Sequence, residues 1–259
     1  MITIISPATT MNFGKNMNLE TNLNPAFLED ANYLMGLLSK LNIDDISNIM
    51  NLSEDLSKLN YDRYQNFGQK DNPKLQSILA FDGEVFNSMR IDDFDKYDFE
   101  FVNEHIRIMS GLYGILYPLA SIEPYRLEMK TKLNNKFGND LYKFWKSKIT
   151  NFIIDELDSH ENKVLINLAS SEYLKCIDLK ALKSKHSFVD IIFKDYDIKS
   201  NSYKVKGLYA KKARGYMCNF IVKNKIDTLN ELLKFNVEGY VYNKELSNEE
   251  KIVFTRNNN

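Results

Sequence analysis

Three cations within four residues, Lys211, Lys212 and Arg214, stand at the head of a stretch whose apolar residues Ala213, Tyr216, Met217, Phe220 and Ile221 recur on one helical face. If the helix starts there, the cations occupy its first turn, where the macrodipole is positive and Asp or Glu is the usual choice. A bound anion reverses that balance, because free backbone amides and three positive side chains then converge on a phosphate. The competing reading is that the true helix start lies a turn away or that acidic neighbours compensate. Two further groups of reactive types follow runs that read as strands. Ser6 and Thr9 come after residues 1–5, and Ser170 and Glu172 after residues 163–168. Ligands in open sheets sit at such strand ends. A serine there could serve as a nucleophile, but no histidine lies near it in sequence, and turn or cap hydrogen bonding is the competing role. Asp82 and Glu84 flank Gly83 and could form an acid–base pair or hold a metal, with a solvated turn as the alternative. Zinc-ligand spacing, a phosphate loop and a dinucleotide fingerprint are all missing, and the three histidines are scattered at 105, 160 and 186. No metal, no cofactor and no specific catalytic group is therefore assigned.

The elements that must position these residues centre on residues 105–129, HIRIMSGLYGILYPLASIEPYRLEM. Phe99, Val102, Ile106 and Met109 follow one another at helical steps, so the spacing predicts a helix over 98–109 that stops at Gly111. Gly114 supplies a second permissive position, and Pro118 suits the first turn of a new helix. Helix, glycine hairpin and helix form a unit that can bring backbone amides against a phosphate; a plain helix–helix turn competes with it. Arg107 and Arg126 flank this unit, and Glu128 lies just beyond. Strands are predicted at 1–5, 163–168, 188–193 and 203–209, and a closing hairpin at 239–255. A helix is predicted from Asn24-Pro25, and a capping box at Thr228–Glu231 opens a short one. Trp145 falls on an apolar helical stripe with Leu141, Ile149, Phe152 and Ile153, and is assigned to the core.

With 259 residues, 44% of them apolar, the chain can bury a sizeable core. Two cysteines and no leader-like apolar run point to the cytoplasm, and no apolar stretch approaches the ~20 residues of a membrane helix. Residues 20–104 hold 7 Lys and Arg against 17 Asp and Glu, whereas residues 105–235 hold 23 against 14. Such asymmetry suits a polyanion on the basic part, unless the acidic half simply lies against the basic one.

The 105–129 block, Ser6-Pro7-Ala8, Asn167-Leu168-Ala169-Ser170 and Tyr209-Ala210-Lys211-Lys212-Ala213-Arg214-Gly215 together resemble the YaaA family of bacterial peroxide-stress proteins, in order and over nearly the whole chain. The resemblance implies a cytoplasmic DNA-binding protein that helps limit damage from unincorporated iron, with no established catalytic reaction. Thr9, Tyr117 and Ala120 stand where that pattern has Lys, Arg and Asp, and each removes a charge. The expectation is one mixed α/β domain over residues 1–259, monomeric, with an acidic helical part at about 20–104 and a basic part at about 105–235. Double- or single-stranded DNA would be held without sequence preference by Arg107, Gly111, Gly114, Arg126, Lys211, Lys212 and Arg214. Ser6, Thr9, Glu128, Ser170 and Glu172 would share the cleft. The alternative is an enzyme acting on a nucleic-acid base or nucleotide in that same cleft.

Overall fold

Runs rich in β-branched residues, closed by Pro7, by small residues or by turns, become the strands of a sheet. The computed structural model describes residues 1–15, 17, 19 and 23–257. Its main sheet takes up β1 (Ile2–Ile5), β2 (Ile106–Ser110), β3 (Gly114–Leu116), β4 (Val164–Leu168), β5 (Ser187–Asp197), β6 (Ser202–Lys204), β7 (Val241–Tyr242) and β8 (Lys251–Arg256). The spatial order is β7-β8-β5-β4-β1-β2-β3, with β6 beside β5. β1 pairs in parallel with β2 and β4, β4 with β5, and β5 with β8. β3, β6 and β7 are antiparallel additions. Every residue of β1 and β2 is buried, as parallel strands covered on both faces must be. The fold is thus the expected mixed α/β domain.

Seven helices of six residues or more lie among the described residues: α1 (Leu28–Leu38), α2 (Ile43–Met50), α3 (Glu54–Asn66), α4 (Glu84–Met89), α5 (Lys96–His105), α6 (Leu141–Ser159) and α7 (Gly207–Lys223). Many acids of the negative half sit in first turns, among them Glu29, Asp30, Asp44, Asp45, Glu54, Asp55, Glu84 and Asp98. There they complement the positive end of each helix. Asn42 with Asp45, and Asp95 with Asp98, close full capping boxes. One contiguous core runs from Met1 to Phe254 and contains Trp145, fully buried as expected.

Three expectations are corrected. The helix over 98–109 ends at His105, and Ile106–Ser110 is a strand, because a short run such as Ile-Arg-Ile-Met fits either period. Gly111 to Gly114 is consequently the turn of a β-hairpin pairing Ile108 with Leu116, and no helix follows at Pro118; the helix-hairpin-helix element is absent. The glycines were still demanded for sound reasons. A Cβ on Gly111 would lie 2.2 Å from the Leu127 carbonyl oxygen, and Gly114 has φ +71 with the Trp145 ring 2.7 Å from where its Cβ would stand. Trp145 Nε1 donates to the Gly111 carbonyl at 2.9 Å. What approaches so closely is the protein itself, not a phosphate.

The second correction concerns residues 203–209: β6 stops at Lys204 and α7 begins at Gly207. Lys211, Lys212 and Arg214 therefore stand beyond the first turn, and the argument from first-turn cations falls in favour of the earlier helix start. Third, α1 begins at Leu28, not at Asn24-Pro25. The hairpin at 239–255 forms as expected, and its second strand also joins the main sheet beside β5.

Candidate functional site

In chain order the parallel strands β1, β2, β4, β5 and β8 lie in space as second, first, third, fourth and fifth. The order reverses between β1 and β4, and an open parallel sheet leaves its ligand crevice beyond the carboxyl ends at that point. A cleft of about 480 Å³ lies there, within the ~300–1,000 Å³ range of small-molecule sites. Its floor joins the two loops: Ser6 Oγ accepts from the Ser170 amide at 2.8 Å. Thr9 and Thr10 continue the β1 loop along the wall. Residues Thr10–Met11 pair antiparallel with Phe81–Asp82, which carries Asp82, Gly83 and Glu84 to the opposite wall. Gly83 lets the walls close up, since a Cβ there would stand 2.9 Å from Ala8 Cβ.

Helix α7 forms the remaining side. It packs so tightly on α4 that a Cβ on Gly215 would lie 2.2 Å from the Val85 carbonyl oxygen. That contact brings Lys211 and Arg214, one turn apart, to the cleft. Arg214 is largely withdrawn from water, and its Nε has no hydrogen-bond partner among the described residues. Burial lowers its pKa, and the nearby Asp190 carboxylate opposes that. Burial pushes the Asp190 carboxyl up, although Asn167 Nδ2 donates to it at 2.7 Å. Lys212 does not line the cleft, and its ammonium lies 3.8 Å from Glu84, which does. Cations Lys211 and Arg214 and hydroxyls of Ser6, Thr9, Thr10 and Ser170 can thus surround an oxyanion, while Asp82 and Glu84 supply carboxylates that can accept hydrogen bonds from a ligand.

The other expected site residues lie elsewhere. Arg107, opposite Ile4 in the sheet, is 3% exposed and donates to Glu156 through Nε and Nη2 and to the Asn103 and Ile106 carbonyls through Nη1. Its guanidinium lies 4.0 Å over the Tyr117 ring, so Arg107 is a structural cation and not part of the cleft. Gly111 and Gly114 are buried under Leu127 and Trp145. Arg126 Nη2 and Lys130 Nζ pair with Glu128 at 2.7 and 2.8 Å, while Arg126 Nε, like Arg214 Nε, has no hydrogen-bond partner among the described residues. Burial works to raise the Glu128 carboxyl, but these two cations outweigh it and hold it low. Glu172 accepts from the Lys130 amide at 3.2 Å and faces this network instead of lining the cleft. The acidic and basic halves also meet directly, through Lys148–Asp30, Lys212–Glu84, and Lys223 and Lys225 on Asp98.

Asp82 and Glu84, for which a solvated turn was an open reading, line the cleft, and Asp190 and Asn167 support it from below. Two-residue strands such as Phe81–Asp82 leave no periodicity to reveal this, whereas Asn167 was at least marked by its place before small residues at a strand end. The histidines are less scattered than their numbers suggest. The rings of His105 and His160 are 5.1 Å apart and lie at the amino ends of the strands.

Residues 1–246 match the family model described as peroxide stress protein YaaA. A UPF0246 protein of Clostridium botulinum strain Eklund 17B is 40% identical over 259 residues, covering all of both chains. One from Crocosphaera subtropica is 40% identical over 256 residues, 99% of this chain and 100% of its own. A third, from Legionella pneumophila strain Philadelphia 1, is 39% identical over 260 residues and covers 99% of each. Among the described residues no helix is long and apolar enough to cross a membrane.

Proposed function

The chain belongs to the peroxide stress protein YaaA family, and from that premise we propose that it serves the oxidative-stress response by holding nucleic-acid backbone at the strand-end cleft. The observation that carries this reading is Arg214, whose buried Nε lacks an acceptor beside Lys211 and the Ser6 and Ser170 loops. A phosphate oxygen supplies that acceptor through a charge-assisted hydrogen bond. Such contacts touch no base edge, so double- and single-stranded DNA bind without sequence preference. Covering phosphates also displaces the cations condensed on them. By excluding iron from the backbone in this way, the protein would help limit damage from free intracellular iron.

Changing Lys211 and Lys212 together to alanine should weaken binding to all DNA sequences about equally. It should also reduce the slope of log affinity against log salt by roughly one to two. A folded double variant with the parent's affinity and slope removes the cleft from DNA binding. The carboxylates Asp82 and Glu84 favour a second reading, an enzyme acting on a base or nucleotide in the same cleft. Release of a free base or of inorganic phosphate from such substrates, abolished in Asp82→Asn, would put that reading first.

A further inference from the structure

We propose that His105, His160 and Asp227 form a binding site for a divalent first-row transition-metal ion at the amino edge of the sheet, the edge opposite the cleft. The three come from separate parts of the chain. His105 ends α5, His160 caps α6, and Asp227 precedes the Thr228 cap of the turn Leu229–Leu232. One potential ligand atom from each lies within 4.8 Å of the others. Metal–ligand bonds of about 2.0–2.2 Å place neighbouring donors ~3.3–3.5 Å apart in a tetrahedral site, so rotamer adjustments of about 1 Å complete the set.

The side chains already converge on a positive charge. The Met1 amino group donates to Asp227 Oδ1 at 2.5 Å and lies 3.3 Å from His160 Nδ1. His105 Nδ1 is 3.5 Å from the same carboxylate oxygen and donates to the Met1 carbonyl at 2.8 Å, a hydrogen bond that ligation by Nδ1 exchanges for the metal. A metal ion takes the position that the ammonium charge now fills, with the amino group moving aside. The surroundings hold the ligands as a metal's outer shell does. Asn162 Nδ2 donates to Asp227 Oδ2 at 2.9 Å, which leaves Oδ1 directed inward. Phe101 stacks on the His105 ring at 4.0 Å and 20°. Two imidazoles and one carboxylate suit Zn²⁺, Co²⁺ or Ni²⁺ better than Mg²⁺ or Ca²⁺.

The test is titration of the purified full chain with Co²⁺, read by its d–d absorption, and with Zn²⁺, read by calorimetry. One ion should bind per chain, and His160→Ala and Asp227→Asn should each weaken it at least about ten-fold. His186→Ala, which removes the histidine outside the cluster, should leave binding unchanged. A wild-type measurement stands beside the variants in case they fold poorly: Zn²⁺ should protect His160 from acylation by diethyl pyrocarbonate, mapped by mass spectrometry. Absence of stoichiometric binding, full affinity in folded His160→Ala and Asp227→Asn, or unchanged acylation of His160 with Zn²⁺ present would each overturn the site.

Discussion

Two helical glycines, Gly36 in α1 and Gly215 in α7, should respond to alanine with opposite signs. In a helix interior alanine is favoured over glycine by about 0.8–1 kcal/mol. Gly36 is exposed and an added Cβ meets nothing within 4 Å, so Gly36→Ala should stabilise by most of that amount. At Gly215 the same methyl group would lie 2.2 Å from the Val85 carbonyl oxygen, 2.7 Å from Ser88 Cβ and 3.1 Å from the Met89 amide. Non-bonded atoms prefer about 3.5 Å, so α7 must retreat from α4 by roughly 1 Å. The obstacle is backbone, which cannot swing aside. Overpacking of this kind costs about 1–3 kcal/mol, and after the propensity gain of about 0.8–1 kcal/mol a net loss of up to about 2 kcal/mol remains. For a domain of this size that lowers the melting temperature by up to roughly 8 °C. The assay is urea or thermal unfolding of both variants beside the parent. Because α7 carries Lys211 and Arg214 while α4 carries Glu84, Gly215→Ala should also weaken DNA binding below its melting range. If Gly215→Ala is stabilised as Gly36→Ala is, the close contact of the two helices is wrong, and so is the placement of the cleft's cationic wall.

Arg107→Ala should cost about 3 kcal/mol of stability, since Glu156 loses its buried partner; DNA affinity and salt slope in the folded variant should match the parent, and a reduced slope would return Arg107 to the binding surface. Asp98 should give the protein an acid-sensitive component. Its burial acts to raise the carboxyl, but hydrogen bonds from Lys223, Lys225 and the Asp95 amide outweigh it and draw the pKa down to about 2. A depressed folded pKa means stability that is whole above the unfolded value of about 4 and is lost as pH falls toward 2. With the two partly exposed lysines screened by solvent, the contribution is about 1 kcal/mol. Unfolding curves from pH 5 to pH 2 should show that decrement in the parent and not in Asp98→Asn, and parallel curves would refute the assignment.

Sequence disclosed the cleft's strand-end loops because Ile2–Ile5 and Val164–Leu168 are largely apolar, β-branched-rich runs that end in Ser6-Pro7 and in Ala169-Ser170. Glycine requirements at 111 and 114 were also visible, but what comes close to them was not, since Leu127 and Trp145 approach from other parts of the chain. Arg107 carries the same charge as Lys211, and nothing local tells that one faces Glu156 and the other a cleft. The start of α7 was hidden for a definite reason. Lys206 caps it without a side-chain hydrogen bond, and the alternation of Tyr203, Val205 and Gly207 with lysines continues the strand pattern straight into the helix. Asp82 and Glu84 reach the site through a ribbon too short to leave any periodic trace.

The placement of β1 has a consequence for the order in which the molecule can assemble. Ile5 pairs with Ile108 on one side and Leu168 on the other, so the earliest strand of the described chain is an interior strand of the finished sheet. It gains its neighbours only after much of the remaining chain has been made. Loop-closure entropy has to be met before those contacts return anything, and folding should be slow and largely post-translational. Until then an isoleucine-rich segment stays unpaired, open to aggregation and to capture by chaperones.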